Sequence, residues 1–383
     1  MSKNQVNRIE YLEKYFQNKV ESFFLDNKPT DVCVALSGGS DSLALTILLK
    51  NFCDIYKINL CALTINHNFR QESTEEAKSI NELMQKLSIS HHIIEIPKKT
   101  VPKVNIEANL RKMRYQLLME FCNNNKIKFL FLGHQIDDVA ENILIRLWRG
   151  SGIDGISSIA EIFYQEQVAI LRPLLSISKV DLQEYLISNN ISWYEDESNQ
   201  EDIFLRNKIR KFINSFEDRE LIKKRLKKAG DETSGIRNFC DDLLLKEASK
   251  FVYFNSRGYF IIEKQGLMNL HFHLAIKLLS LMIMELGKKL YKPRFSSIEN
   301  IYKIILTNDF KPINIGHSIV KRLPKSLSKF NKNHFINPII IYCDNLTLKD
   351  ENIGDKNIGD KNIGNKNINL EIKLKTILCK IFN

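Results

Sequence analysis

The stretch Asp31–Ser42 (DVCVALSGGSDS) constrains the fold more than any other part of this 383-residue chain. Its first six residues are mostly apolar and rich in β-branched side chains, which is typical of a short buried strand. Ser37–Ser40 predicts a tight turn, because its two glycines permit positive φ and close approach by a ligand. Ser40 or Asp41 is then expected to cap a helix that continues through Leu43–Leu49. A strand, a turn of small residues and a helix N-terminus together form a site for an anion.

The predicted turn carries more polar groups than a structural turn needs. Ser37, Ser40 and Ser42 place three hydroxyl groups around it. Asp41 would repel a bound phosphate unless a hard cation such as Mg²⁺ lay between the two. The alternative is an ordinary Gly-Gly turn before a capped helix, a common feature of α/β proteins. No lysine follows the glycines, so the usual phosphate-loop pattern G-x-x-x-x-G-K-[ST] is absent.

The SGGSDS turn instead resembles the signature of the ATP pyrophosphatase loop (PP-loop) family. Those enzymes bind the β- and γ-phosphates of ATP, transfer AMP to a substrate oxygen and release pyrophosphate. The resemblance implies that the whole turn binds ATP, through Ser37, Gly38, Gly39, Ser40, Asp41 and Ser42.

Strands alternate with helices through the first 150 residues. Further strands are predicted at Asn59–Ile65, His92–Ile96 and Phe129–Gly133. The predicted helices are Val6–Phe24, Thr74–Leu87, Asn105–Cys122 and Asp137–Trp148. These spacings require crossover connections, so we expect an α/β fold with a doubly wound parallel sheet and ligands at the carboxyl ends of its strands.

Polar residues follow two of these strands. His67, after the second strand, is either a ligand-binding residue or a loop histidine with a structural role. After the fourth strand, Asp138 and Glu141 lie three residues apart on one helix face, and Asp137 lies at the helix start, where the dipole favours a carboxylate. Capping alone needs one acid. Three acids beside a phosphate loop indicate a metal site, an ammonium site or both.

The helix predicted between these strands carries two arginines, Arg111 and Arg114, on one face. They are candidates for binding phosphate, and the alternative is a solvated basic face.

Charge and cysteine content restrict the class of partner. The formal net charge of +11 and the pI near 9.1 favour a polyanionic partner, nucleic acid first. The alternative is a lysine-rich composition spread over solvated faces.

The seven cysteines contain no C-x-x-C pair, so we expect free thiols and neither a zinc nor an iron–sulfur site. No apolar run long enough for a membrane helix or a signal sequence occurs, and we expect a cytoplasmic protein.

A spaced set of residues between about 30 and 211 resembles the tRNA(Ile)-lysidine synthase family. Besides the PP-loop, the set comprises Asn66-His67 with Arg70, Glu107-Ala108 with Arg111, Arg114 and Tyr115, Gly133-His134 with Asp138 and Glu141, Arg146–Gly152, Asp196–Asn199, and Arg206–Arg210. Three residues depart from the family's usual pattern. Asn66 and Asn68 stand where Asp and Gly are commoner, and Asn142 replaces a usual Thr.

This second resemblance implies an adenine nucleotide α-hydrolase-like domain and a two-step ligation. AMP passes from ATP, with Mg²⁺, to the 2-oxygen of the wobble cytidine in isoleucine tRNA with a CAU anticodon. The amine of L-lysine then attacks carbon 2 and expels AMP, which forms lysidine and changes codon reading from AUG to AUA. The implied roles are catalysis for Asp41, Ser42, Arg111, Arg114 and His134, metal binding for Asp41 and Asp137, and lysine binding for Asp138 and Glu141.

Three regions are expected along the chain. Residues 1–215 form the N-type ATP pyrophosphatase domain, residues 216–312 a smaller, mainly helical tRNA-binding domain, and residues 313–383 a degraded or flexible region with pentapeptide repeats (NIGDK, NIGDK, NIGNK). Residues 203–230 contain ten Lys or Arg against three Asp or Glu. They are either a solvated face or an RNA contact, and we favour RNA. The predicted tRNA contacts are Arg149, Arg206, Arg210, Lys223, Lys224 and Arg225.

Three rival functions remain at this point. A thiolating PP-loop enzyme would need paired cysteines, and an amide-forming relative acting on a small molecule would not need a basic second domain. An inactive RNA-binding protein could have lost Asp41 or Glu141, and both are present. Lysine-dependent AMP release, with and without tRNA, distinguishes these functions. The oligomeric state is open between a monomer and a homodimer.

Overall fold

The computed structural model describes residues 3–24, 28–66, 72–96, 106–165, 167–194, 205–255, 258–287, 292–307, 309–323 and 336–343. The chain divides into two compact units, an N-terminal unit, Met1–Ser234, and a C-terminal unit, Gly235–Asn383. No helix in the described ranges is both long and apolar enough to cross a membrane. The six cysteines within those ranges are free thiols, as the sequence predicted, and Cys379 lies outside them.

The N-terminal unit is built on a six-stranded sheet of order β3-β2-β1-β4-β6-β5. Its strands are β1 (Asp31–Ala35), β2 (Asn59–Asn66), β3 (Ser90–Glu95), β4 (Phe129–Phe131), β5 (Ile162–Gln165) and β6 (Val168–Leu171). Its helices are α1 (Lys3–Phe24), α2 (Ser40–Tyr56), α3 (Glu72–Lys86), α4 (Ile106–Asn124), α5 (Ile136–Trp148), α6 (Ile153–Ile156), α7 (Lys179–Ser188) and α8 (Leu205–Asn214). A ninth helix, α9 (Arg219–Phe251), begins in this unit.

The predicted fold class is confirmed, with one addition at the edge of the sheet. The first four strands and β6 are parallel, whereas β5 pairs antiparallel with β6. This β5–β6 hairpin was not predicted from the sequence. Strand order reverses at β1, which pairs with β2 on one side and β4 on the other. Ligands of doubly wound sheets bind outside the strand ends at such a point, and the Ser37–Gly39 turn follows β1 there.

Helix α2 is held firmly because most of its residues are buried. Every residue from Leu43 to Leu49 is buried, and Phe52 packs in the same core against Phe24 of α1. Burying a large apolar side chain contributes roughly 1.5–3 kcal/mol. The helix N-terminus, which faces the predicted phosphate site, is therefore fixed by the core beneath it.

The C-terminal unit combines helices with a five-stranded antiparallel sheet, of order β7-β8-β11-β10-β9. The strands are β7 (Val252–Asn255), β8 (Tyr259–Glu263), β9 (Ile313–Ile315), β10 (Ser318–Arg322) and β11 (Pro338–Cys343). The helices are α10 (Lys264–Asn269), α11 (Phe272–Gly287) and α12 (Phe295–Leu306). The sequence predicted a mainly helical unit here with one strand at Tyr259–Ile262, which corresponds to β8, and the other four strands of the sheet are the difference.

The division of the chain also differs from the predicted boundaries at 215 and 312. Residues after 215 stay with the first unit because Leu226 of α9 packs with Ile209 of α8. Strands β9–β11 belong to the second unit because Ile339 and Ile341 of β11 pack in its core with helix α11. The pentapeptide repeats lie outside the described residues.

Candidate active site

The Ser37–Gly39 turn has the backbone geometry that its glycines predicted. Gly38 has φ +85°, and a Cβ there would lie 2.6 Å from Cδ1 of Ile80. The backbone N–H of Tyr194, which follows α7, donates to the carbonyl of Gly38 over 3.1 Å. The turn is therefore held from two sides, by α3 and by the segment after α7.

Ser42 organises the polar groups inside the turn. Its Oγ accepts from the backbone N–H of Ser37 at 3.1 Å and donates to the carbonyl of Gly39 at 3.0 Å. The hydroxyls of Ser37 and Ser42 are 3.1 Å apart. The expectation that Ser40 or Asp41 caps the helix is wrong, because Gly39 is the N-cap and no side-chain hydrogen bond caps it. Ser40 Oγ instead donates to Asp41 Oδ1 at 3.2 Å.

Gly133, after β4, lets the loop before α5 pass beside the start of α2. A Cβ on Gly133 would lie 3.0 Å from the carbonyl oxygen of Asp41 and 3.1 Å from Cα of Ser42. These atoms are backbone, which cannot rotate away. Close approach of β4 to the turn therefore requires glycine.

On the prediction that the turn binds ATP and that pyrophosphate is released there, we expect Gly133→Ala to lower the rate of that release about tenfold, because the added Cβ displaces the backbone of Asp41 by a few tenths of an ångström. Overpacking also lowers the free energy of unfolding by about 1–3 kcal/mol. Gly235→Ala is the matched control, since a Cβ there meets nothing within 4 Å. Equal effects of both substitutions on activity would contradict the close-approach argument.

Asp41 lies among other carboxylates. Burial, together with the charges of Asp138 and Asp137, raises the pKa of its carboxyl to about 6, although Lys179 and a hydrogen bond from Ser40 act in the opposite direction. The PP-loop acid and the acids of α5 are therefore close enough to repel one another. Lys179, at the start of α7, was not predicted, because no local pattern relates it to the turn.

The first turn of α5 is a capping box. Gln135 Oε1 accepts from the backbone N–H of Asp137 at 2.7 Å, and Asp138 Oδ2 accepts from the backbone N–H of Gln135 at 3.0 Å. Asp138 Oδ1 also accepts from Nη2 of Arg206 at 3.3 Å. Asp138 thus combines a capping role with a charge pair.

Glu141 is buried, with 1% of its surface exposed, and two guanidinium groups engage both of its oxygens. Arg206 Nε donates to Oε2 at 2.7 Å, and Arg210 Nε donates to Oε1 at 2.6 Å. The acids predicted to bind lysine and two arginines predicted to bind tRNA therefore pair with each other. Residues that the sequence analysis assigned to two separate binding sites therefore form one ion-pair cluster.

The basic run at the start of α9 also divides in the structure. Lys223 is 5% exposed, and its Nζ donates to Asp137 Oδ2 at 2.9 Å and to Glu220 at 2.8 Å. Lys224 and Arg225 are exposed. Lys223 thus lies against the acids of α5 rather than on the surface. Asp137 Oδ1 is buried and has no hydrogen-bond partner in the described part of the chain.

A group of arginines lies near these acids, of which Arg172 is buried, Arg114 half-buried and Arg111 exposed. Burial lowers the pKa of the Arg114 and Arg172 guanidinium groups, and the charge of Arg111 adds to this effect in both. Burial also holds the pKa of His134 well below its usual range, with the charges of Arg172 and Arg111 acting in the same direction, so that His134 is neutral at pH 7. Its Nδ1 is buried without a partner among the described residues. Cations that repel one another in one cluster form a site suited to a polyanion such as phosphate.

Arg172 was not predicted as a site residue although it follows a strand. It comes directly after β6, and its Nη1 donates to the carbonyl of Ala160 at 2.7 Å. The short hairpin of β5 and β6 was not recognised, so the rule that ligands lie at strand ends was not applied there. The run Val168–Leu171 followed by an arginine is the signal that could have revealed it.

Other predicted residues lie apart from this cluster or outside the described residues. Arg149 ends α5, about 20 Å along the helix from its acidic first turn by the rise per residue. His67, Arg70 and Asp196–Asn199 lie outside the described ranges, as does the side chain of Glu107.

The donor set restricts how a metal could bind. No group of three or more His, Cys, Asp or Glu side chains suited to a metal ion occurs in the parts of the chain that the structure describes. Mg²⁺ commonly takes one or two carboxylates and completes its shell with substrate phosphates and water. Asp41 therefore fits a cation brought in with a nucleotide better than a permanent metal centre.

Comparison with known proteins identifies relatives. A family model described as the PP-loop domain matches residues 12–216. The tRNA(Ile)-lysidine synthase of Orientia tsutsugamushi is 33% identical over 297 residues, which is 76% of this chain and 67% of that protein. The enzyme of the same name from Wolbachia pipientis is 34% identical over 311 residues, or 78% and 69% of the two chains.

A solved structure shows the same fold. The U34-tRNA thiolase NcsA from Methanococcus maripaludis, solved with its [4Fe-4S] cluster, aligns with a TM-score of 0.51 and 17% identity. The alignment covers 60% of this chain and 79% of the thiolase. At this identity the likeness concerns the fold alone.

Proposed function

The chain belongs to the tRNA(Ile)-lysidine synthase family of PP-loop ligases, and on that basis we propose that it adenylates the wobble cytidine of a CAU-anticodon isoleucine tRNA and joins lysine to carbon 2 of that base. ATP is its energy source, AMP and pyrophosphate are its products, and we place the reaction in the cytoplasm. The observation that carries the proposal is that three groups lie close enough to influence one another's charge. These are the PP-loop, the carboxylates of α5, and a group of arginines.

In the first step the 2-oxygen of cytidine attacks the α-phosphorus of ATP, and the bond to pyrophosphate breaks. We assign binding of the β- and γ-phosphates to the N–H groups at the start of α2, which no side chain caps, and to the hydroxyls of Ser37 and Ser42. We assign Arg114 and Arg172 to the charge that develops on the phosphate oxygens, and neutral His134 to a hydrogen bond. Asp41 would hold Mg²⁺ bound to ATP, where the ion would neutralise phosphate charge.

In the second step an amine of lysine, after its ammonium group has lost a proton to water, attacks carbon 2 of the base. The bond from carbon 2 to the former 2-oxygen breaks, and AMP leaves with that oxygen. Asp138 and Glu141 are the ammonium-binding residues in this proposal. Because Arg206 and Arg210 pair with these carboxylates, lysine must take the place of at least one guanidinium. The exchange substitutes one positive charge for another, so Glu141 remains paired throughout. Arg206 or Arg210 is then free to contact AMP or tRNA.

The proposal is tested by incubating the protein with ATP, labelled lysine and CAU-anticodon isoleucine tRNA, followed by mass analysis of the nucleosides. We expect lysidine in the tRNA and AMP release that requires both lysine and tRNA. AMP release without lysine, or label absent from the nucleosides, would reject the assignment. The same tRNA with a different wobble base is the control.

We expect Lys224→Ala with Arg225→Ala to weaken tRNA binding and to flatten its salt dependence, because both side chains are exposed on the basic start of α9. Each lost phosphate contact reduces the log–log slope by about 0.7–0.9. Lys223→Met is the matched comparison. Its buried ion pair with Asp137 predicts a loss of stability rather than a change in slope. An unchanged salt slope in the double variant would show that Lys224 and Arg225 lie on a solvated face and do not contact RNA.

A further inference from the structure

Three aromatic rings lie exposed at the ends of two helices in the N-terminal unit. Trp148, at the end of α5, is 77% exposed, and Phe212 and Phe216, at the end of α8, are 57% and 42% exposed. We name these three residues the aromatic end. Large aromatic side chains that leave the core in this way mark binding surfaces more often than isolated exposed aliphatic residues do.

Contacts between α5 and α8 bring these rings to the same place. At the start of the helices Arg206 pairs with Glu141, and one turn later Arg210 pairs with the same carboxylate. Further along, Ile145 packs with Ile213 in one apolar cluster. Because positions further along α5 meet positions further along α8, we infer that the two helices run parallel and that their C-terminal ends lie side by side.

The rings are arranged and surrounded in a way that suits nucleic-acid bases. Phe212 and Phe216 pack edge to face, with ring centroids 5.1 Å apart, which orients their faces. The surrounding exposed side chains are mostly basic, namely Arg146 and Arg149 on α5 and Lys208 and Lys211 on α8. Two acids, Glu217 and Asp218, follow Phe216 and border the patch on one side.

We propose that the aromatic end stacks unpaired RNA bases while the neighbouring arginines and lysines contact the phosphates of the same strand. Every base has a flat face, so aromatic stacking combined with basic side chains is a general way to hold single-stranded nucleic acid. This inference rests on the proposed function for the identity of the RNA. The patch lies about 20 Å along α5 from its acidic first turn. Since the wobble base is proposed to react near that turn, the patch would hold other nucleotides of the same strand.

The charge of the surface favours RNA over a second copy of the chain. Two copies meeting face to face through this patch would bring Arg146, Arg149, Lys208 and Lys211 of each against those of the other. Like charges placed opposite one another oppose association. A polyanion instead neutralises all of them.

Trp148 offers a direct measurement, because the chain has two tryptophans and the second, Trp193, is partly buried against the core. In a Trp193→Phe background Trp148 is the sole tryptophan. We expect its fluorescence to be quenched on adding an RNA hairpin with the CAU anticodon loop, and its quenching by iodide to fall. Unchanged emission and unchanged iodide access at saturating RNA would overturn the proposal.

Substitutions separate stacking from other roles of the same side chain. Trp148→Leu should raise the Kd for the hairpin about tenfold or more, whereas Trp148→Phe should stay within about threefold, since stacking requires an aromatic ring. Tyr11→Leu, an exposed aromatic position on α1, is the control and should leave the Kd unchanged. Equal affinity of the Leu and Phe variants would overturn the proposal.

Salt dependence and molecular mass complete the test. Trp148→Leu should weaken binding without changing the salt slope, whereas Arg149→Ala should reduce the slope by about 0.7–0.9. A change of molecular mass by light scattering in Trp148→Leu would assign the patch to a second copy and overturn the proposal. If RNA quenches Trp148 fluorescence but the native chain forms no lysidine, the proposed function alone is rejected. If the native chain forms lysidine but RNA does not quench Trp148, the stacking proposal alone is rejected.

Discussion

Replacing Asp41 by asparagine is expected to abolish adenylation of tRNA and, at the same time, to make the ligand-free protein more stable. Loss of one electrostatic contact in a transition state costs roughly 2.7–4 kcal/mol, which is a hundred- to thousandfold in rate. Asn is nearly the same size as Asp, so the turn around Ser37 and Ser42 keeps its shape. The change removes only the negative charge that, in the proposed mechanism, would hold Mg²⁺ bound to ATP.

The gain in stability follows from the raised pKa. The Asp41 carboxyl titrates near pH 6 in the folded protein against 3.8 in its unperturbed state. Between these values the folded state binds more protons than the unfolded state, so the free energy of unfolding falls as pH rises from about 4 to 6. The shift corresponds to at most about 3 kcal/mol at pH 7. Asp41→Asn removes this penalty, and its stability should vary less with pH across the same window.

Urea unfolding from pH 4.5 to 7.5 without ATP or Mg²⁺, together with pyrophosphate release at pH 7.5, measures both effects. Asp54→Asn is the matched control, because Asp54 lies on the same helix with an exposed side chain paired to Lys50. It should change neither quantity by more than a small amount. Near-normal adenylation by Asp41→Asn would reject the catalytic role. An unchanged pH profile of stability would reject the raised pKa of the Asp41 carboxyl, to which burial and then the charge of Asp138 contribute.

Glu141→Gln is expected to have the second large effect, on stability and on the use of lysine. The glutamate is buried and its two oxygens accept from Arg206 and Arg210. Removing one partner of a buried ion pair typically costs 3–5 kcal/mol. Because both arginines are about one-third exposed, we expect a loss of about 2–3 kcal/mol, near the lower end of that range or below it.

A double-mutant cycle measures how much of that loss of stability comes from the ion pair between Glu141 and Arg210. Glu141→Gln, Arg210→Gln and the double variant should show a coupling energy above about 1 kcal/mol by urea unfolding. Glu184→Gln is the control, since its pair with the exposed Arg8 predicts less than about 1 kcal/mol. Additive losses at Glu141 and Arg210 would contradict the buried pair.

A pulse experiment separates the role of Glu141 in lysine binding from this structural one. Enzyme, ATP and tRNA are mixed without lysine, the adenylated tRNA is trapped, and lysine is added afterwards. If Glu141 binds lysine, Glu141→Gln should form the adenylate and then use lysine with a raised KM. Arg210→Gln disturbs the same cluster but keeps Glu141, so its KM for lysine should be lower than that of Glu141→Gln. Absence of adenylate in Glu141→Gln would assign the residue to nucleotide binding or folding instead.

Features that depend only on residues close together in the amino-acid sequence could be predicted from it. The β1–turn–α2 unit is set by a short apolar run, two glycines and a helical pattern that follow one another directly. The alternation of strands and helices required crossovers, and this determined the parallel sheet and its ligand edge. The PP-loop and the spaced motifs were sufficient by themselves to indicate the family.

Only the tertiary structure decided which charges face one another. Arg206 and Glu141 are 65 residues apart, and Lys223 and Asp137 are 86 apart, and each looked like a separate ligand-binding residue in the sequence. The same holds for β9–β11, which complete a sheet begun by β7 and β8, and for Arg172, which reaches the site from an unrecognised hairpin. A charge or a short apolar run does not specify its partner along the chain. Its partner is determined when burial makes an unpaired charge or an unpaired strand edge too costly.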